Sequence, residues 1–251
     1  MSSNPVLSIF FHNYYGDDQQ WLNFLCNELD IPFYLFYNYV SDSYSREAQP
    51  DYFNSEMHRQ PQTIYLNQIY FRKSTNKGKD IGGKLVLMDA YMKLGIGGKY
   101  ILLLHDKQSL HQHNGQKWRR ELFRIVEKNC MKKAIEIFQG NAQVGIIAAA
   151  SAIRNEWDNE QKSNNYTNSS LIEELKNRYQ IQPPHLQFVA GTMFWVRASI
   201  FEAFFKKHPP LAVRAELEEG NVMDDQPTLT HAWERLLCWI ATSQGYQIVG
   251  I

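Results

Sequence analysis

Two apolar runs flanking one helical segment open the chain, and this arrangement limits the fold more than any other feature. "PVLSIFFH" (residues 5–12) and "IPFYLFYNYV" (31–40) are nearly continuous in apolar and aromatic residues. Between them, "DDQQWLNFLCNELD" (17–30) sets Trp21, Leu22, Leu25 and Leu29 at helical spacing, with aspartates at its start, where the helix dipole favours them. A strand, a helix and a strand in this order read as a βαβ unit, which calls for a parallel sheet covered by helices on both faces.

The rest of the chain continues the pattern. "TIYLNQIYF" (63–71) reads as a strand and "RKSTNKGKDIGG" (72–83) as a glycine-rich turn. "KLVLMDAYMKL" (84–94) is apolar on most of its circumference and reads as a buried helix, which "GIGG" stops before the strand "KYILLLH". Trp118, Leu122, Ile125, Val126, Ala134 and Phe138 predict one long helix over about 117–138. "AQVGIIAAA" reads as a strand, 154–169 as a polar connection, 170–179 as a helix and "LQFVAGTMFWVR" as a strand or strand pair. Ser199 with Glu202 forms a capping-box signature for the next helix. After the acidic loop "ELEEGNVMDD", a last helix is expected over 226–243, capped by Asp225 and stopped by Gly245. The expected fold is one α/β domain with a mostly parallel, Rossmann-like sheet.

Composition narrows the function. The chain has 251 residues, 44% of them hydrophobic, enough to bury a sizeable core in a single domain. No apolar run is long enough to span a bilayer, and the start lacks the basic and small-residue signals of a leader peptide. The cysteines Cys26, Cys130 and Cys238 are odd in number and far apart, which predicts free thiols in a cytoplasmic protein. Formal net charge is zero, so no nucleic-acid partner is expected.

Two glycine-rich stretches invite nucleotide readings. "GIGGKY" precedes a strand, whereas a dinucleotide fingerprint must open a helix. In "GKDIGGKL", Gly78, Gly83 and Lys84 satisfy the phosphate-loop spacing, but Leu85 stands where a hydroxyl should hold the metal. A P-loop nucleotide-binding protein stays open as an alternative. So does a turn in which Asn76, Gly78 and Asp80 lie over a ligand.

The strand "YILLLH" ends in His105, Asp106, Lys107 and Ser109. Open α/β sheets bind ligands at the carboxyl ends of their strands, so these side chains are expected at a ligand edge. Transferases of the GT-A type hold a divalent ion there with two aspartates; here Asp106 stands alone between His105 and Lys107. Either Asp106 holds magnesium or manganese with help from His105, or Lys107 meets a diphosphate directly.

"FFHNYYGDD", "STNKGKDIGG", "LLLHDKQS" with "WRRELF", "VAGTMFWVR" and "THAWERL" occur in that order. Together they resemble the rhamnan synthesis protein F family over about residues 6–249. The resemblance implies a GT-A-like glycosyltransferase using a nucleotide sugar such as dTDP-rhamnose. Its acceptor would be a glycan or lipid-linked glycan of a bacterial surface polysaccharide, such as lipopolysaccharide. The enzyme would work at the cytoplasmic membrane face, by peripheral contact. It implies a nucleotide-sugar-binding half (about 1–110) and an acceptor half (about 111–251). The donor residues would be His12, Tyr14, Asn76, Gly78, Asp80, His105, Asp106, Lys107 and Ser109. Trp118, Arg119, Gly191 and Met193 mark further motif positions. Trp195, Arg197 and Arg235 would meet the acceptor, and Asp225, Glu234 or His231 would be the general base, with Glu219 a further acidic candidate. A non-catalytic glycan-binding or scaffolding module is the competing class.

Overall fold

The computed structural model describes residues 6–16, 18–40, 65–106, 115–156, 169–220 and 228–251. The opening βαβ unit is β1 (Leu7–Asn13), α1 (Asp18–Glu28) and β2 (Phe33–Val40). Next come β3 (Leu66–Ser74), α2 (Lys79–Leu94) and β4 (Tyr100–His105). They are followed by α3 (Gly115–Phe123), α4 (Lys128–Gly140), β5 (Val144–Ala148) and β6 (Ile153–Asn155). The last third holds α5 (Ser169–Tyr179), β7 (Gln187–Val189), β8 (Phe194–Arg197), α6 (Ala198–Lys207), α7 (Pro210–Glu216), α8 (Leu229–Thr242) and β9 (Gln247–Gly250).

Seven strands form one sheet in the order β3-β2-β1-β4-β8-β5-β9. β1 pairs in parallel with β2 and β4, β2 with β3, and β5 with β9; β8 runs antiparallel between β4 and β5. The sheet is therefore mostly parallel, as expected, with one reversed strand. β1 and β4 are buried along their whole lengths, which is why their sequences do not alternate. Aromatic rings knit the helices to the sheet: Phe10 meets Phe36 and Tyr91 edge-on, and Tyr100 stacks on Phe138. β6 and β7 pair in a separate small sheet.

Several local expectations change. α2 begins at Lys79 rather than at Lys84, so "DIGG" is helix and not turn. Gly78 opens it at φ 72°, a left-handed conformation that favours glycine. The single helix expected over 117–138 is broken: α3 ends at Phe123, a 3₁₀ turn takes Arg124–Val126, and α4 starts at Lys128. "LQFVAGTMFWVR" divides between two sheets. The capping box at Ser199 does not form, because α6 already starts at Ala198; Glu202 instead accepts the Tyr91 hydroxyl at 2.5 Å. α8 is capped by Thr228, whose side chain accepts from the His231 amide. No helix among the described residues is long and apolar enough to cross a membrane.

The break after α3 explains Trp195. The Ile125 carbonyl freed there accepts the Trp195 indole N–H at 3.1 Å, and the ring is fully buried. Trp195→Phe removes that donor and is expected to cost about 1–3 kcal/mol. Urea unfolding should show the loss, while ligand binding at the sheet edge should be unchanged.

Candidate functional site

β2 and β3 lie on one side of β1 and β4 lies on the other, so the strand order reverses between β1 and β4. Ligands of open α/β sheets sit outside the carboxyl ends at such a reversal. The register places His12, at the end of β1, beside Asn38 of β2 and His105 of β4. Two of the expected donor residues are thus neighbours at the switch point.

His12 is buried, and its Nδ1 lies 2.9 Å from the Asn38 side-chain nitrogen, which also donates to Ser74 Oγ at 2.9 Å. The Asn38 side chain thus fixes the imidazole and links it to the end of β3. α2 presses on the other side of this ring. A Cβ built on Gly83 would fall 1.9 Å from His12 Nδ1. Glycine there lets the helix lie directly on the imidazole, although glycine weakens a helix interior.

Asp106 follows His105 and turns back toward β1. Its carboxylate accepts the Tyr14 amide at 2.9 and 3.0 Å and the Tyr15 amide at 2.5 Å. It therefore braces the turn after β1, and Tyr14 contributes to that brace through its backbone. Both oxygens already receive N–H donors. Among the described residues no three His, Cys, Asp or Glu side chains gather where they could hold a metal ion. The donor set at Asp106 among the described residues does not fit a divalent ion. Lys107 and Ser109 lie outside the described residues.

The densest chemistry lies one turn into α2. The ammonium of Lys84, whose side chain is only 3% exposed, is 2.8 Å from Asp80 Oδ2. It also donates to the Thr192 carbonyl at 2.8 Å, to Thr192 Oγ1 at 2.5 Å and toward His105 Nδ1 at 3.1 Å. The Thr192 hydroxyl in turn donates to Asp80 Oδ2. Burial alone would raise the Asp80 carboxyl; the Lys84 ammonium, His105 and the hydrogen bonds from Lys84 and Thr192 outweigh it and hold the group well below the usual carboxylate range. Lys84 is thus a buried, paired cation inside a helix, and the P-loop reading is overturned: no loop is present for Gly83 and Lys84 to close around a phosphate.

A second acidic group ties the glycine turn to α8. Glu218 accepts the Leu229 amide, the Thr230 amide at 3.1 Å and the Thr230 hydroxyl at 2.9 Å. Burial pushes its carboxyl up, but the backbone donors at the start of α8 prevail and lower it. Its own carbonyl accepts the Gly78 amide at 2.8 Å. Asn76 packs against Gly220 in the same strap, and Glu219 lies 3.3 Å from Lys77.

The acceptor-side expectations fare differently. Arg197 pairs in register with Tyr100, at the start of β4, whereas His105 ends it. The sheet edges are thus separated by roughly 17 Å of extended chain. Arg197 donates to the carbonyls of Val144, Phe138 and Asn141, and its guanidinium lies over Phe138. Trp195 is core. Neither lines the switch point, because β8 is reversed and only its entry, at Thr192, reaches that edge. On α8, Glu234 Oε1 accepts the Gly191 amide at 2.7 Å and Oε2 accepts Arg235 at 2.5 Å. Arg235 also reaches Glu156 at 2.9 Å and covers Phe188. These two residues brace the turn before β8. His231 Nδ1 lies 2.8 Å from the Thr228 hydroxyl at the α8 cap. Asp225 lies outside the described residues. Trp118 packs beside Gly191 under the Arg154 guanidinium, and Arg119 covers Trp21.

Sequence reasoning missed Thr192, Asn38 and Ser74, and it considered Lys84 only as a phosphate-loop lysine. A signal existed for Lys84: a cation opening an apolar helix must find a partner, and Asp80 is one turn away.

The chain is 24% identical over 181 residues to the uncharacterized protein WxcX of Xanthomonas campestris pv. campestris (strain B100). That match covers 70% of this chain and 24% of WxcX, so the chain spans about a quarter of that relative. The family model described as Rhamnan synthesis protein F matches residues 6–246. The chain belongs to the rhamnan synthesis protein F family.

Proposed function

We propose that this domain is a glycosyltransferase. It takes a sugar from a nucleotide-sugar donor, dTDP-rhamnose, and transfers it to a surface polysaccharide or its lipid-linked precursor at the cytoplasmic face of the membrane. The observation that carries the reading is the switch point between β1 and β4. His12, Asp80, Lys84, His105 and Thr192 converge there, in the chain of a polysaccharide-synthesis family. Donor transfer needs charge stabilisation of a leaving diphosphate and removal of a proton from the acceptor hydroxyl. His12, seated by Asn38 at the end of β1, orders the strand edge where the diphosphate would lie. The acidic segment 216–225 and α8 supply the candidates for the base.

The test is a melting panel with dTDP, UDP, GDP and CMP, each with and without manganese, followed by assay of nucleoside diphosphate released from nucleotide sugars. Stabilisation by dTDP and release of dTDP from dTDP-rhamnose in the presence of acceptor are expected. Binding without release from any donor would favour the glycan-binding or scaffolding role, and no binding at all would overturn the donor site.

A further inference from the structure

Asp80 treats its two carboxylate oxygens differently. Every hydrogen bond and ion pair it makes among the described residues ends on Oδ2, from Lys84, Thr192 and His105. One quarter of the side chain (25%) is accessible, against 3% for Lys84 beneath it. Oδ2 is thus anchored inward, and Oδ1 is the oxygen presented at the sheet edge.

The charge balance limits what Oδ1 can take. The Lys84 ammonium lies directly against the Asp80 carboxylate and offsets its charge. The ion pair is neutral, with its carboxylate end outermost. A phosphate oxygen brought to Oδ1 would be repelled. Among the described residues, a divalent ion would find one carboxylate oxygen here, since Asp106 is turned toward the Tyr14 and Tyr15 amides. A base would need a higher proton affinity, because Asp80 is held well below the usual carboxylate range. A neutral O–H group fits, since hydrogen bonds to an ionised acceptor are short and strong. Local strain fits as well. Thr192, β-branched, sits at φ 49°, a conformation that such residues rarely adopt and that persists where the surroundings enforce it. Its hydroxyl and carbonyl are what fix Lys84 and Asp80 Oδ2.

We infer that Asp80 Oδ1 accepts a hydrogen bond from a hydroxyl of a sugar ring bound at the switch point, making Asp80 a sugar-reading residue rather than a phosphate, metal or proton-transfer group. The inference rests on the proposed donor site and specifies which part of the donor meets α2. Two rings carry the required chemistry, the pentose of the nucleotide and the transferred sugar.

Calorimetric titration of wild type and Asp80→Asn with dTDP and with dTDP-rhamnose separates them, in magnesium-containing buffer and with folding checked by circular dichroism. A loss of about tenfold to hundredfold confined to dTDP-rhamnose supports the inference and assigns the hydroxyl to the transferred sugar. An equal loss with both ligands supports it and assigns the pentose. Unchanged or tighter binding of both ligands by a folded Asp80→Asn overturns it, because removing a carboxylate that faces phosphate strengthens binding. Should Asp80→Asn fail to fold, wild type is titrated with dTDP-sugars lacking single hydroxyls. A tenfold weaker analogue supports the inference, and equal affinity across the series overturns it. Wild type that binds neither ligand defeats the donor reading itself, a result distinct from a binding wild type matched by its variant.

Discussion

Lys84→Met is expected to lower stability by about 3–5 kcal/mol, the usual cost of stripping one partner from a buried ion pair. For a chain of this size that corresponds to a fall in melting temperature of roughly 10 °C. Asp80 loses its main cation, and the Thr192 carbonyl and hydroxyl lose their donor. The double variant Asp80→Asn/Lys84→Met should recover most of the loss, because it removes both charges and a methionine fills the lysine's channel. A double variant as unstable as the single one would show that packing, not charge, holds the cluster. Acid provides an independent readout. The Asp80 carboxyl is held well below its ordinary value, so its contribution is complete above the unfolded value of about 4 and is lost as pH falls through the lower folded value. Below about pH 4, wild type should lose stability more steeply than the double variant.

Gly83→Ala should be a severely damaging single-methyl change at the site. The added carbon would fall 1.9 Å from His12 Nδ1 and 2.6 Å from two ring carbons. His12 is buried and held by Asn38, so either α2 lifts from β1 or the imidazole leaves its seat. Overpacking of this kind costs about 1–3 kcal/mol or more. Displacement of His12 should also abolish stabilisation by dTDP in the melting panel. Gly140→Ala is the control: no atom lies within 4 Å of its added carbon, so stability should hold or rise by up to about 1 kcal/mol. If Gly83→Ala melts and binds like Gly140→Ala, the close contact between α2 and His12 is not important to the site.

The fold was legible where the signal was local. The apolar runs of β1, β2 and β4 and the helical spacing of α1 needed no tertiary information. The site was legible in part, because strand ends in a parallel sheet share one edge; His12, His105 and Asp106 follow from that rule. Residues whose roles depend on strand direction were not legible. "GTMFWVR" carries a tryptophan and an arginine that the family resemblance marks as acceptor groups. Yet β8 runs backwards, which buries Trp195, sends Arg197 to the far edge and leaves the unremarkable Thr192 at the site. The start of α2 was hidden for a different reason. Its two glycines argue against helix by propensity, and only tertiary contacts account for them: His12 lies against Gly83 and the Lys77 carbonyl against Gly82. The sheet runs through both expected halves of the single domain, with Lys84 of one bonded to Thr192 of the other.

That last bond has a consequence for the newborn chain. Lys84 and Thr192 are 108 residues apart, so a ribosome adding about 5–20 residues per second leaves the lysine without its threonine for roughly 5–20 s. During that interval β4 also has an open edge, because β8 has not yet been made. The first half should therefore emerge as a chaperone client, and early truncations should be cleared by proteases rather than accumulate as a folded nucleotide-binding fragment.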